Sequence, residues 1–226
     1  MDNLNIKKKF KKNGYFIVKK LFQKKDLIKV KNKLSSFYNN SKFNNVESCL
    51  HYNPHEKNIL VKKIFSNKNL VQLIKSILDC KTIYGLQTAY FSNPKGTSGV
   101  FPHQDDFFMK SGFNNTINVW IPLLNINKNN GPMTFYLKSH KNKINIKNNI
   151  LCSNGNENQT NLKKFSKKKA LCEIGDVVLI HNHIFHKGGK NLSYKKRDII
   201  TCSYIKDKIN FNVGKKKNRK KFKLLN

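Results

Sequence analysis

Two short stretches of this chain hold the side chains best suited to chemistry: His103-Gln104-Asp105, and the segment from His186 to Arg197. Together they offer two imidazoles, a carboxylate and a guanidinium. Two histidines and one carboxylate on the same face of a metal leave the opposite positions open, the arrangement of non-haem Fe(II) oxygenase sites. Side chains at i and i+2 of an extended strand point the same way. His103 and Asp105 therefore reach one metal from adjacent pleats, while Gln104 and Asp106 face away unless the strand bends. The third ligand must come from a distant strand, and His181, His183 and His186 compete for the place. His181 and His183 share a strand face and offer a zinc site of their own, yet no paired carboxylate base accompanies them for hydrolysis. His186 is preferred because it stands just before Lys187-Gly188-Gly189, where the chain turns, and eleven residues before Arg197. That distance lets the next strand return alongside and bring a carboxylate clamp near the metal. A lone histidine is usually a satisfied structural residue; the linked set is what points to a metal.

Of the 45 basic residues, two are arginine, Arg197 and Arg219, and the other 43 are lysine. Where lysine is the default, an arginine in mid-chain asks for a geometric reason. Guanidinium is a planar fork that grips a carboxylate through two parallel hydrogen bonds, which ammonium cannot match. Arg197 opens a strand-like run, 197–205, and fits that role. Arg219 sits in a basic tail, where charge alone accounts for it.

The elements that position these residues are legible in outline. With 226 residues the chain suits one well-cored domain and is short for two. Tyr15-Phe16-Ile17-Val18 reads as a strand after Gly14, which closes a short helix or basic arm ending at Asn13. Leu27, Val30, Leu34 and Phe37 recur at helical spacing, predicting a helix over about 24–39. Leu70, Ile74 and Ile77 predict another near 67–79, capped by Ser66 or Asn67. From Thr82 the pattern turns to strands, at 82–92, 116–124, 133–137, 170–174, 176–181 and 197–205, separated by Gly, Pro, Asn and Lys. A helical layer followed by many short strands fits an α+β, mainly β protein with a double-sheet jelly roll of cupin type, whose mouth can hold a metal. Within 116–124, Asn118 and Trp120 share a face opposite Ile117, Val119 and Ile121, so Trp120 walls the cavity. Arg197, Thr201 and Ser203 share a face of the last strand. The Asn- and Lys-rich segment 141–168 reads as a solvated insertion rather than a lid.

Five cysteines, Cys49, Cys80, Cys152, Cys172 and Cys202, make an odd number with no CxxC, which fits reduced thiols and a compartment that keeps iron ferrous. No apolar run approaches the ~20 residues of a membrane span, and residues 1–12 lead into no apolar signal-type stretch; both favour a cytoplasmic protein. The net charge of +33 implies a polyanion partner or lysine drift. Only 7–12 and 215–223 are dense in lysine, and nucleic-acid sites favour arginine and clustered stripes. An anionic small molecule is the better expectation than nucleic acid.

Over nearly its whole length the chain resembles the phytanoyl-CoA dioxygenase family of Fe(II)/2-oxoglutarate oxygenases. The resemblance rests on Asn13-Gly14-Tyr15-Phe16-Ile17-Val18, on His103-Gln104-Asp105, and on Val119-Trp120-Ile121-Pro122-Leu123. It continues through Asn130-Gly131-Pro132-Met133, Ser139-His140-Lys141 and Gly175-Asp176-Val177-Val178, and then His186, Asn191, Ser193 and Arg197. Leu137-Lys138 replace the family's Pro-Gly, and Gly188 stands where a small polar residue is common. The resemblance implies one domain over 1–226: helices over about 1–80 packed on one sheet, a double-stranded β-helix core over about 82–208, and a basic tail over 209–226. It implies His103, Asp105 and His186 as Fe(II) ligands and Arg197 as the partner of the far carboxylate of 2-oxoglutarate, with Trp120 and Gln104 as further cofactor contacts. Dioxygen is the second cosubstrate. Related halogenases carry a small residue at the carboxylate position, so Asp105 implies hydroxylation. The substrate is not implied. Two other readings compete: a non-catalytic jelly-roll binding protein, which stoichiometric iron binding excludes, and an oxygenase acting on nucleic acid or another polyanion, which salt-sensitive DNA binding would favour.

Overall fold

Gly14 ends the first helix and starts the first strand. It takes φ +81°, a left-handed conformation that only glycine adopts without strain, and its N–H closes on the Phe10 carbonyl. A Cβ there would also strike the His140 ring. The computed structural model describes residues 2–38, 50–141 and 162–225.

Helix α1 (Asn3–Asn13) is capped by Asp2 and buries only Ile6 and Phe10. Strand β1 (Tyr15–Val18) leads to α2 (Lys24–Tyr38), which buries Leu27, Val30 and Leu34. After β2 (Leu50–Tyr52) come α3 (Ile59–Phe65) and α4 (Lys68–Leu78), the latter capped by Asn67. Strand β3 (Ile83–Asn93) is followed by the short α5 (Asp105–Met109) and β4 (Thr116–Pro122). The remaining strands are β5 (Thr134–Tyr136), β6 (Lys167–Lys169), β7 (Val177–His181), β8 (His186–Lys187) and β9 (Arg197–Lys206).

A six-stranded sheet runs β1-β7-β4-β9-β3-β2, and a three-stranded sheet runs β6-β5-β8. Strand alternation divides the core. Val119, Ile121, Val177, Leu179, Ile200 and Cys202 share one apolar cluster with buried residues of α1 to α4. Their sequence neighbours Trp120, Val178, Ile180 and Ile199 share another with Phe135 of the small sheet. The site lies on this second side.

Three expectations change. Residues 170–174 form no strand; Cys172 makes a single bridge to Ile126. Strands β2 and β6, of three residues each, and helix α3, of seven, are too short to show a period in the sequence. The basic tail is docked: Phe222 bridges Gly85 through both backbone bonds, Lys220 N donates to Leu86 O, and the Phe222 ring stacks on His55 at 3.9 Å. Gly85 is required there, because a Cβ would lie 2.1 Å from the Phe222 ring. Of the 141–168 segment, residues 142–161 lie outside the described residues, as do Cys49 and Cys152. Cys80, Cys172 and Cys202 are free thiols, and no described helix is long and apolar enough to cross a membrane.

Candidate metal centre

His103 and His186 meet through their backbones. Each donates its N–H to the other's carbonyl at 3.0 Å, a paired position that sets two facing imidazoles 4.3 Å apart by ring centres. Asp105 arrives differently from the strand expectation. Gln104 is extended but Asp105 opens α5, so the chain turns into a helix between the two ligand candidates. The result is the same convergence by another route. Asp105 Oδ1 lies 3.5 Å from His103 Nε2 and 3.7 Å from His186 Nε2, and one potential ligand atom from each of the three residues falls within 4.8 Å of the others.

The protonation pattern favours a cation. His103 Nδ1 lies 2.7 Å from the Phe101 carbonyl and His186 Nδ1 lies 3.1 Å from the Ile184 carbonyl. A carbonyl can only accept, so in each neutral ring the hydrogen sits on Nδ1 and the Nε2 lone pair faces inward. Burial pushes His186 down to about 4, which keeps it neutral. Burial alone would raise the Asp105 carboxyl, but the His186 and His103 rings and a hydrogen bond with the Asn118 side chain together hold it below its usual value. Asp105 Oδ2 is buried and has no hydrogen-bond partner among the described residues. Two imidazole Nε2 atoms and a buried carboxylate with an unpartnered Oδ2 therefore converge, and a hard-to-borderline metal is what such a set fits.

Asp106 does another job. Its carboxylate accepts from Ser111 N and Oγ, Gly112 N, Asn182 Nδ2 and His183 Nε2, at 2.5–3.3 Å. Burial raises its pKa, but His183 and Ser111 outweigh that and bring it to about 2. This network ties α5 to the turn after β7 and so fixes Asp105. His183 is occupied by it. His181, pushed down to about 3 by burial, packs among Phe10, Phe113 and His140. Neither belongs to the convergent set. His140 pairs with the Lys11 carbonyl, and Ser139 Oγ accepts from Phe185 N; both are structural.

A cavity of about 320 Å³ opens beside the three residues. Asn118, Trp120, Arg197, Thr201 and Ser203 line it, as strand alternation predicts. Arg197 is buried, with Nη1 donating to the Gly131 carbonyl. Gly131 has φ +79°, and a Cβ there would come within 3.0 Å of that Nη1. Gln104 is a correction: its Nε2 donates to the His183 carbonyl at 2.5 Å, and it is not among the cavity-lining residues. Gly188 has a packing reason, since a side chain there would press on the Gly99–Val100 backbone at 3.0 Å. Lys138, where the family carries glycine, takes φ +64°. Arg219, set aside as tail charge, also lines the cavity. The scarcity of arginine was the signal that would have found it.

Comparison with known proteins agrees with this geometry. The epimerase SnoN in complex with Fe3+, alpha ketoglutarate and nogalamycin RO superposes with a TM-score of 0.80 at 12% identity, covering 93% of this chain and 86% of that one. EctD from S. alaskensis with 2-oxoglutarate and 5-hydroxyectoine gives 0.71 at 13%, over 88% and 74%. At such identities the likeness is one of fold, the double-stranded β-helix. A curated relative, Phytanoyl-CoA dioxygenase 1 of Oryza sativa subsp. japonica, is 29% identical over 156 residues, 67% of this chain. The match spans only 54% of that relative. A family model described as Phytanoyl-CoA dioxygenase (PhyH) matches residues 10–199, and by that span the chain belongs to the phytanoyl-CoA dioxygenase family.

Proposed function

We propose that the protein is an Fe(II)/2-oxoglutarate-dependent dioxygenase that hydroxylates a small molecule, with His103, Asp105 and His186 as iron ligands. The observation that carries this is the buried Asp105 carboxylate, its Oδ2 unpartnered and its Oδ1 within 3.7 Å of two imidazole Nε2 atoms whose rings are already committed through Nδ1 to carbonyls. When bound, iron with 2-oxoglutarate and dioxygen supplies an oxidant able to take hydrogen from a C–H bond, with 2-oxoglutarate leaving as succinate and CO2. The protein's residues do the rest. The Phe101 and Ile184 carbonyls fix the tilt and tautomer of the two rings. Asp105 brings a negative charge and fills the place where a halide would enter, which favours hydroxylation. Arg197 offers its fork to the far carboxylate of 2-oxoglutarate, held in place by Gly131. Trp120 and Ile199 wall the cavity against water. A reducing, cytoplasmic setting suits the ferrous state.

The neighbour's printed name, epimerase, is a reminder that one fold hosts several outcomes after hydrogen abstraction. The deciding experiment is an anaerobic titration with Fe(II) and 2-oxoglutarate, followed by dioxygen and a succinate assay. A 2-oxoglutarate-dependent charge-transfer band with slow succinate release is expected. Iron uptake without either points to a different cosubstrate, and no iron uptake points to a binding protein.

A further inference from the structure

We infer that Arg219 recognises the substrate, and that the substrate is a small molecule with an apolar body and a terminal oxyanion, a carboxylate or phosphate, gripped by the Arg219 fork. The inference rests on the oxygenase reading above. Both arginines of the chain line the cavity, and among the described residues no lysine does. Lysine supplies nearly all of this protein's surface charge, so a fork retained in the cavity wall is a matter of geometry rather than charge.

The two arginines enter from different places. Arg197 pairs with Asn93 at one end of β3, while the tail carrying Arg219 is fastened near the other end. There Lys220 N donates to Leu86 O, and the Asn218 carbonyl accepts from Gln87 Nε2 at 3.2 Å and Asn53 Nδ2 at 2.9 Å. Asn93 and Gln87 are six residues apart, about 20 Å of strand. Arg197 is thus placed for one carboxylate and Arg219 for another.

Arg219 is held in place by backbone carbonyls. Its N–H donates to Val213 O and its Nη1 to Asn212 O, each at 3.2 Å. Its Nε is buried and has no hydrogen-bond partner among the described residues; the charge of Asp105 is felt across the cavity, but no carboxylate of the described residues is in contact with the fork. One bond from Nη1 to a carbonyl would close the 212–219 turn without needing a guanidinium. A fork with an idle buried donor fits a bidentate oxyanion. Much of the cavity wall is apolar, with Leu50, Val100, Phe108 and Met109 among its residues. That is the surface for the rest of the molecule.

The test is calorimetric titration of hexanoate, hexyl phosphate and 1-hexanol into the full chain, metal-free and also loaded anaerobically with Fe(II) and 2-oxoglutarate. The anionic probes are expected to bind about tenfold or more tighter than hexanol, the worth of a charged hydrogen-bonded pair. Arg219→Gln should remove that advantage and leave hexanol binding unchanged, and Arg219→Lys should restore only part of it. The stronger of the two anions names the oxyanion. The inference is overturned if hexanol binds as well as hexanoate, or if Arg219→Gln binds hexanoate like wild type. It is also overturned if Arg197→Lys, and not Arg219→Gln, removes binding in the loaded protein. Should near-UV circular dichroism show that Arg219→Gln disturbs the fold, Arg219→Lys decides alone. Failure of the oxygenase reading would appear separately, as wild-type protein that takes up neither iron nor 2-oxoglutarate while the metal-free hexanoate titration still responds to Arg219.

Discussion

Asp105 and Asp106 are neighbours in sequence with opposite fates. Asp106 is surrounded by donors on both oxygens, while Asp105 keeps a buried Oδ2 without a partner, so one carboxylate holds the structure and the other fits a cation. Replacing them should separate the two jobs. Asp105→Ala is expected to abolish stoichiometric Fe(II) uptake while costing the metal-free protein only about 1 kcal/mol, since the Asn118 side chain is the donor that loses a partner. Asp106→Ala should instead cost about 2 kcal/mol, since it strands several buried donors. Calorimetry with Fe(II) and urea melts of both variants check this; iron uptake retained by Asp105→Ala would remove that residue from the ligand set. The convergence of His103, Asp105 and His186, and the place of Arg197 in the cavity wall, were legible because spacing and residue type both pointed to them. The route to Asp105 was not, because nothing in His-Gln-Asp says whether the chain stays extended or turns into a helix. The direction of Gln104, which turns to the His183 carbonyl, was hidden for the same reason.

Elements with long periodic patterns could be read in advance: α2, α4, β3, β4 and β9 fall within a residue or two of their expected spans over the described residues. Alternation along β4 and β9 also identified which side chains face the cavity. Elements fixed by a single tertiary contact could not be read. The docking of the tail depends on one aromatic ring meeting one glycine, and neither has a periodic signature. Gly85 has an ordinary φ, so Gly85→Ala tests this contact without backbone strain. The added methyl should displace Phe222 and release the segment that carries Arg219. Limited trypsin digestion should then cut quickly at Lys220, Lys221 or Lys223, sites that the docked tail protects in wild type. Equal cleavage of both proteins would mean the tail is not held through Phe222.

At the scale of the molecule, burial keeps five of the seven histidines below their ordinary pKa: His51, His55, His140, His181 and His186. A group depressed in the folded state binds more protons when unfolded. Stability is therefore full above about pH 7 and falls as pH drops through 6.5 toward the folded values, about 4 for His55 and His186 and about 3 for His181. His181 is 4% exposed, and by itself it should cost about 2 kcal/mol at pH 5. Asp106, held near 2, adds its own loss only below its ordinary value of 3.8. Urea midpoints of the metal-free protein should thus fall between pH 7.5 and 5; a flat profile would contradict the buried neutral state of these rings. The net charge of +33 works in the same direction, since each further proton adds to self-repulsion. Lysine abundance masked the second arginine at this scale, because a run of like charges reads as solvated surface until its fold is known.

Trp120 is the chain's one tryptophan, it is 4% exposed, and it stands in the cavity wall beside Asn118 and Ile199. Its indole emission, excited beyond tyrosine absorption, therefore comes from this cavity alone. The protein carries its own fluorophore at the place where metal, cosubstrate and substrate would meet. Quenching and spectral shift can report each arrival in turn, on unlabelled protein and without waiting for a turnover.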